Sequence, residues 1–128
     1  MRLLLDTHVL LWAAADSDRL PSDVRAWLED GANHVYFSAA SLWEIGIKSA
    51  LGRKDFRIDL PMLQTAVESI GFLELPVTGA HAIGVTRLPR VNRDPFDRLL
   101  VAQSIVEQLI LVTHDGVLRP YGSTVRVV

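Results

Sequence analysis

The chain opens on a short continuous apolar run, Leu3-Leu4-Leu5, that stops at Asp6-Thr7-His8. The same figure returns late in the chain, where Leu109 to Thr113 runs into His114-Asp115. Unbroken apolar runs of this length suit strands buried on both faces. Val35 to Phe37 and Phe72 to Leu75 read as further strands, and Thr124 to Val128 as a final edge strand. Helical patterns fill the intervals. His8 to Ala15 is the first, and Ser22 to Asp30 the second, with Ser22 as N-cap and Gly31 as stop. A third starts at Ser38 or Ser41 and reaches Leu51 before Gly52; after a polar connection over Arg53 to Asp59, a fourth covers Leu60 to Ile70 before Gly71. Thr78 caps a fifth that runs to Leu88. The clearest helix spans Pro95 to Gln108: Asp94 suits the N-cap, Pro95 the first helical position, and Leu99, Ala102, Ile105 and Val106 make an apolar stripe.

Strands alternating with helices predict an α/β fold, a mostly parallel sheet covered on both faces. That topology carries chemistry with it. Ligands of such sheets gather beyond the C-terminal ends of the strands, where Asp6 and His114-Asp115 would lie together although they are far apart in sequence.

The 128 residues suffice for one domain, 1–128, with its own core, and at 49% hydrophobic the chain is globular rather than disordered. Cysteine is absent, which removes disulfides, thiolate zinc sites and cysteine nucleophiles and fits a reducing cytoplasm. Asp6, Thr7 and His8 interrupt the N-terminal apolar run too early for a signal-peptide core, and no stretch is long enough to cross a bilayer, so a soluble chain without membrane association is expected. A net charge of −2 is no footprint of a nucleic-acid binder. Setting aside Asp6, Glu44, Asp97 and Asp115 turns it to +2, and the basic residues are grouped: Arg87, Arg90, Arg93 and Arg98 surround Asp-Pro-Phe-Asp, while Lys48, Arg53, Lys54 and Arg57 follow Glu44.

Those four acids are the candidate chemistry. Carboxylates sharing one cleft raise one another's pKa unless they are protonated, matched by basic groups, or filled by a hard divalent ion. Each also has a structural alternative. Asp6 suits the cap of the helix it precedes, Asp115 with Gly116 suits a turn, and Glu44 pairs with Lys48 at i,i+4 and with Ser41 as a capping box. With Asp94 at the cap, Asp97 falls at the third helical position, where the helix dipole favours an acid. Asp94 is therefore read as structural and Asp97 as catalytic. Ser38 and Ser41 are helix caps or, alternatively, a hydroxyl that steadies a metal-bound water or phosphate. His8, His34, His81 and His114 show no zinc spacing, so carboxylate chemistry with magnesium or manganese is the better match; His114 lies close enough to Asp115 to touch substrate.

Four segments together resemble the PIN domain family, and within it the VapC-type toxin ribonucleases of bacterial toxin–antitoxin pairs. They are Leu-Leu-Asp-Thr-His-Val-Leu-Leu-Trp at 4–12, Ser-Ala-Ala-Ser-Leu-Trp-Glu-Ile-Gly-Ile-Lys at 38–48, Arg-Asp-Pro-Phe-Asp-Arg-Leu-Leu-Val-Ala-Gln at 93–103 and Val-Thr-His-Asp at 112–115. In that order they span nearly the whole chain. The resemblance implies a three-layer α/β/α fold and a Mg²⁺-dependent (alternatively Mn²⁺-dependent) endoribonuclease. It places Asp6, Glu44, Asp97 and Asp115 in the acidic site, with Asp6 and Asp97 as direct metal ligands and Asp94, Ser41 and His114 as accessory residues. Lys48, Arg93 and Arg98 would contact RNA. A homodimer and a cognate antitoxin are the implied partners, the antitoxin wrapping apolar helices near the N-terminus and placing a basic side chain among the acids; Trp12, Trp27 and Trp43 are either contact anchors or core. One departure is visible: relatives carry histidine before Arg-Asp-Pro-Phe, where this chain has Asn92. Two other readings stay open, a non-catalytic binding module of the same fold and an aspartyl-phosphate phosphatase. The phosphatase would want a second aspartate where His8 stands.

Overall fold

The computed structural model describes residues 1–52 and 57–128; Arg53 and Lys54, expected among the basic residues near Glu44, lie outside the described residues. Five strands, β1 (Arg2–Leu5), β2 (His34–Ser38), β3 (Leu73–Leu75), β4 (Ile110–Thr113) and β5 (Val125–Val127), form one sheet in the order β3-β2-β1-β4-β5. Every pairing is parallel. The central strand explains the apolar run: Leu3, Leu4 and Leu5 are each wholly buried, because β1 has helices on both faces.

Side-chain alternation divides the core. Leu3 and Leu5 join Phe37 and Val112 on the face covered by α1 (Thr7–Ala14), α2 (Ser22–Glu29), α3 (Ala39–Ala50) and α4 (Leu60–Ser69). Leu4 and Leu111 point the other way, towards Leu100 and Val101 of α6 (Pro95–Val106) and Leu118 and Tyr121 of a short 3-10 helix (Gly116–Tyr121). The remaining helix, α5 (Gly79–Thr86), packs on α6, where a Cβ added to Gly84 would already sit 3.4 Å from Val106. The result is the three-layer α/β/α arrangement that the alternation predicts. Among the described residues no helix is long and apolar enough to cross a membrane.

Three local expectations need correction. Pro21, not Ser22, occupies the N-cap of α2. The cap of α3 is Ser38, whose Oγ accepts from the Ala40 N–H at 3.0 Å, so Ser41 and Glu44 lie inside the helix and make no capping box. On α6 the apolar stripe covers only part of the buried surface: Ala102 is buried and faces Gly84 of α5 with Val106, but Leu100, Val101 and Ser104, outside the stripe, are buried as well, and Ile105 and Val106 stand 45% and 41% exposed. The stripe is misleading because α6 is buried against both the sheet and α5, so polar Gln103 and Ser104 are enclosed too. That helix also stops short of Gln108, whose φ of 56° turns the backbone left-handed.

Candidate active site

Register brings the acids together. Leu5 of β1 is level with Val112 of β4, and the Asp6 N–H continues the ladder to the Val112 carbonyl at 3.0 Å. Asp6 and the Thr113-His114-Asp115 turn therefore leave the sheet side by side. Asp6 does two jobs at once. Its Oδ1 caps α1 by accepting from the Val9 N–H at 2.9 Å, and its Oδ2 accepts from the Thr113 hydroxyl. Thr113 Oγ1 in turn accepts from the Asp115 N–H at 3.0 Å, and Asp115 Oδ1 caps the 3-10 helix at Val117. The turn reading of Asp115 and its place beside Asp6 thus hold together.

Next in sequence to Asp6, Thr7 links β1 to α3. Its single hydroxyl proton goes to Glu44 Oε1 at 2.6 Å, and Thr7 Oγ1 also lies 3.1 Å from the buried Ser41 Oγ. The other Glu44 oxygen accepts from Lys48 Nζ at 2.7 Å. Glu44 is only 5% exposed, so this pairing offsets a charge that burial would otherwise make costly. Lys48, expected at RNA, is engaged with Glu44.

Asp94 caps α6 by accepting from the Phe96 and Asp97 N–H groups at 2.9 and 3.1 Å, as its position before Pro95 predicts. Asp97 then sits at the third helical position, within the first turn. Burial first, and then the negative charges of Asp94, Glu44, Asp115 and Asp6, push its pKa up to about 7. Asp6 is raised too, because burial outweighs the two hydrogen bonds from Thr113 and Val9 that oppose it. All four expected acids therefore meet at the C-terminal edge of the sheet, where Glu44, Asp115 and Asp6 are close enough to Asp97 to oppose its ionisation.

A family model for the PIN domain matches residues 3–122. The chain belongs to the PIN domain family. No curated protein matches it significantly. Among solved structures, a chain of VapBC2 from Rickettsia felis bound to a DNA fragment from their promoter superposes with a TM-score of 0.69 at 14% identity, covering all of this chain and 98% of that one. VapBC-1 from nontypeable Haemophilus influenzae gives 0.63 at 14% identity over 90% and 87% of the two chains. FitAcB from Neisseria gonorrhoeae gives 0.62 at 22% identity over 96% and 95%. These likenesses are likenesses of fold.

The donor set of this PIN domain is all oxygen, as a hard divalent ion prefers, and the pKa values of Asp6 and Asp97 are raised in the direction that a nearby cation would reverse. Among the described residues no three histidine or acidic side chains are grouped tightly enough to enclose a metal ion.

Several supporting residues escape sequence reasoning. Thr7 and Thr113 orient Glu44 and Asp6, and their signal was adjacency: each is a hydroxyl next to an acid or a strand end. Asn92 donates from Nδ2 to Asp97 Oδ2 at 3.1 Å. Tyr121 fixes that amide, donating its hydroxyl to Asn92 Oδ1 and accepting from Arg98 Nη1 at 2.9 Å. Arg98 also donates to the carbonyls of Pro89 at 2.9 Å and Val85 at 3.3 Å. It ties the α5–α6 connection to the site, a different task from the RNA contact expected of it. Tyr121→Phe leaves Asn92 and Arg98 each short of a partner, and urea unfolding of the purified protein should show a loss of about 1–2 kcal/mol.

Proposed function

We propose that this chain is a Mg²⁺-dependent endoribonuclease, with Mn²⁺ as an alternative ion, acting in the cytoplasm as the toxin of a toxin–antitoxin pair, its single PIN domain spanning 1–128. The observation that carries the reading is Asp97, half-buried among the acids, whose pKa is raised to about 7 by burial first and then by the charges of Asp94, Glu44, Asp115 and Asp6. A site so crowded with acids is poised for a divalent cation and a phosphodiester, not for an anionic ligand alone. Asp6 and Asp97 would hold the ion, with Glu44 and Asp115 orienting its waters. When bound, the ion lowers the pKa of an attacking water and offsets charge on the leaving oxygen. Arg93, exposed and next to Asp94, would grip a flanking phosphate.

Two apolar surfaces support the partners. A cavity of about 580 Å³ between α1, α2 and α4, walled by Ala14, Leu20, Leu28, Ala66 and Ile70 with Asp16, Arg25 and Glu29 beside them, includes none of the four site acids and suits a largely apolar segment of an antitoxin. Trp43, Ile47 and Leu51 stand 66%, 37% and 74% exposed at i, i+4 and i+8 along α3, a row that a second copy of the chain would cover.

Purified protein incubated with RNA, DNA and a small phosphate ester across a Mg²⁺ titration tests the reading. RNA cleavage that rises with Mg²⁺ and stops with EDTA is expected. Metal binding with no cleavage would favour the non-catalytic module, and hydrolysis of the small ester alone the phosphatase.

A further inference from the structure

Metal chemistry accounts for the carboxylates and leaves three aromatic rings unexplained. Asp6 and Asp115 form one side of a cavity of about 350 Å³, and its other walls are His8, Trp12 and His114. The rings are held in place. Trp12 packs against the main core, the His114 Nδ1–H donates to the Val128 carbonyl at 2.6 Å, and the Trp12 and His114 rings meet edge to face with centroids 5.2 Å apart. His8, one turn before Trp12 on α1, has its ring 6.4 Å from the indole at 55°. A second cavity of about 290 Å³ shares His8 and Trp12 and continues to the exposed Arg19.

Acids, then rings, then a cation is the order in which a single strand of nucleic acid presents its groups to a metal nuclease: the scissile phosphate at the metal, the adjoining base on the rings, the next phosphate at the arginine. We propose that Trp12, with His8 and His114, is a stacking subsite for one unpaired nucleobase beside the scissile phosphate, and that Arg19 takes the phosphate beyond it. The inference rests on the ribonuclease reading above and adds where the substrate strand lies. A nucleobase fits because it joins a flat π face to a hydrogen-bonding edge, and the pocket answers with flat rings that carry ring nitrogens. Rings already fixed by the core and by Val128 lose little freedom on binding.

The test compares wild type with Trp12→Ala, Trp12→Phe, His114→Ala and Arg19→Gln. Substrates are a randomised pool of unstructured 12-nucleotide RNAs and a base-free aryl phosphodiester. Trp12→Ala should raise KM for RNA about 10–100-fold. Turnover of the base-free diester and the Mg²⁺-induced rise in Tm should stay at wild-type values. Trp12→Phe should recover most of the loss, and Arg19→Gln should flatten the salt dependence of RNA binding by about 0.7 log units per log unit of salt. Should Trp12→Ala fail to fold, a single abasic ribose walked through a cleaved RNA gives the same information with unaltered protein: one position next to the cut should lose as much as the substitution does. Wild-type KM in Trp12→Ala, an equal loss on the base-free diester, or no abasic-sensitive position would overturn the subsite. So would a Trp12→Ala defect confined to a co-expressed partner protein, which would assign the groove to that protein. A wild-type protein inert towards RNA with Mg²⁺ would instead sink the ribonuclease reading itself.

Discussion

Asp97→Asn is expected to abolish RNA cleavage while making the metal-free protein more stable at pH 8. Both effects come from one cause. In the unfolded chain this carboxyl ionises near 3.8, whereas in the folded protein burial and then Asp94, Glu44, Asp115 and Asp6 raise it to about 7. Between those values the folded state keeps a proton that the unfolded state has lost. The stability this contributes is fully present below pH 4, drains away as pH rises towards 7 and is gone above it. Asparagine carries no charge at any of these pH values, so its advantage over aspartate should grow from pH 5 to pH 8. After allowance for solvent screening of a half-buried group it should reach about 1–2 kcal/mol, a rise in Tm of roughly 3–8 °C. A weaker slope of the same sign should survive in the variant, because Asp6 is raised as well. Mg²⁺ reverses the order: wild type gains about 2.7 kcal/mol at 100 times its Kd, and Asp97→Asn far less. Cleavage should fall more than about 100-fold, since even the outer partners of a metal ligand are worth 10–100-fold. Scanning calorimetry at pH 5 and pH 8, with and without Mg²⁺, reads all of this; a variant whose Tm advantage is the same at both pH values would show that Asp97 does not feel the other acids.

The sequence made the frame of this site legible and hid its fittings. Leu3 to Leu5 and Leu111 to Val112 announced central strands because burial on both faces leaves no polar position to confuse the pattern. From that the meeting of Asp6 with Asp115 followed by topology alone. Asp94 and Pro95 set the start of α6, and with it the place of Asp97. What a one-dimensional pattern does not carry is a contact between side chains of different elements. Thr7 with Glu44, Thr113 with Asp6, and the chain from Arg98 through Tyr121 and Asn92 to Asp97 are of this kind. Arg98 shows the consequence: an arginine beside an acidic motif reads as a phosphate ligand, and only its carbonyl partners at Val85 and Pro89 reveal a structural cation. The stripe on α6 was incomplete for a related reason. A helix enclosed by a sheet on one side and α5 on the other has no single apolar face, so its buried positions include Gln103 and Ser104.

Asp6 separates cap from chemistry, and two substitutions should divide them. Asp6→Asn keeps an oxygen for the Val9 N–H, which needs only a neutral acceptor, and Asn is as good an N-cap as Asp. It also removes a charge that burial opposes. Its Tm should lie within a few degrees of wild type, yet cleavage should be lost, because an amide presents an N–H where the ion needs an anionic oxygen. Asp6→Ala removes the cap, worth about 1 kcal/mol, and leaves the buried Thr113 hydroxyl without its acceptor at about 1–3 kcal/mol, partly offset by the vanished charge. A net loss of about 2 kcal/mol should appear as a Tm drop of roughly 6–12 °C. Asp59 supplies the control, since its Oδ1 caps α4 at Met62 and among the described residues it belongs to no acidic cluster. Asp59→Ala should cost about 1 kcal/mol and leave cleavage intact. If Asp6→Asn also cleaves RNA at the wild-type rate, Asp6 is a helix cap like Asp59, and the metal must be held by other residues.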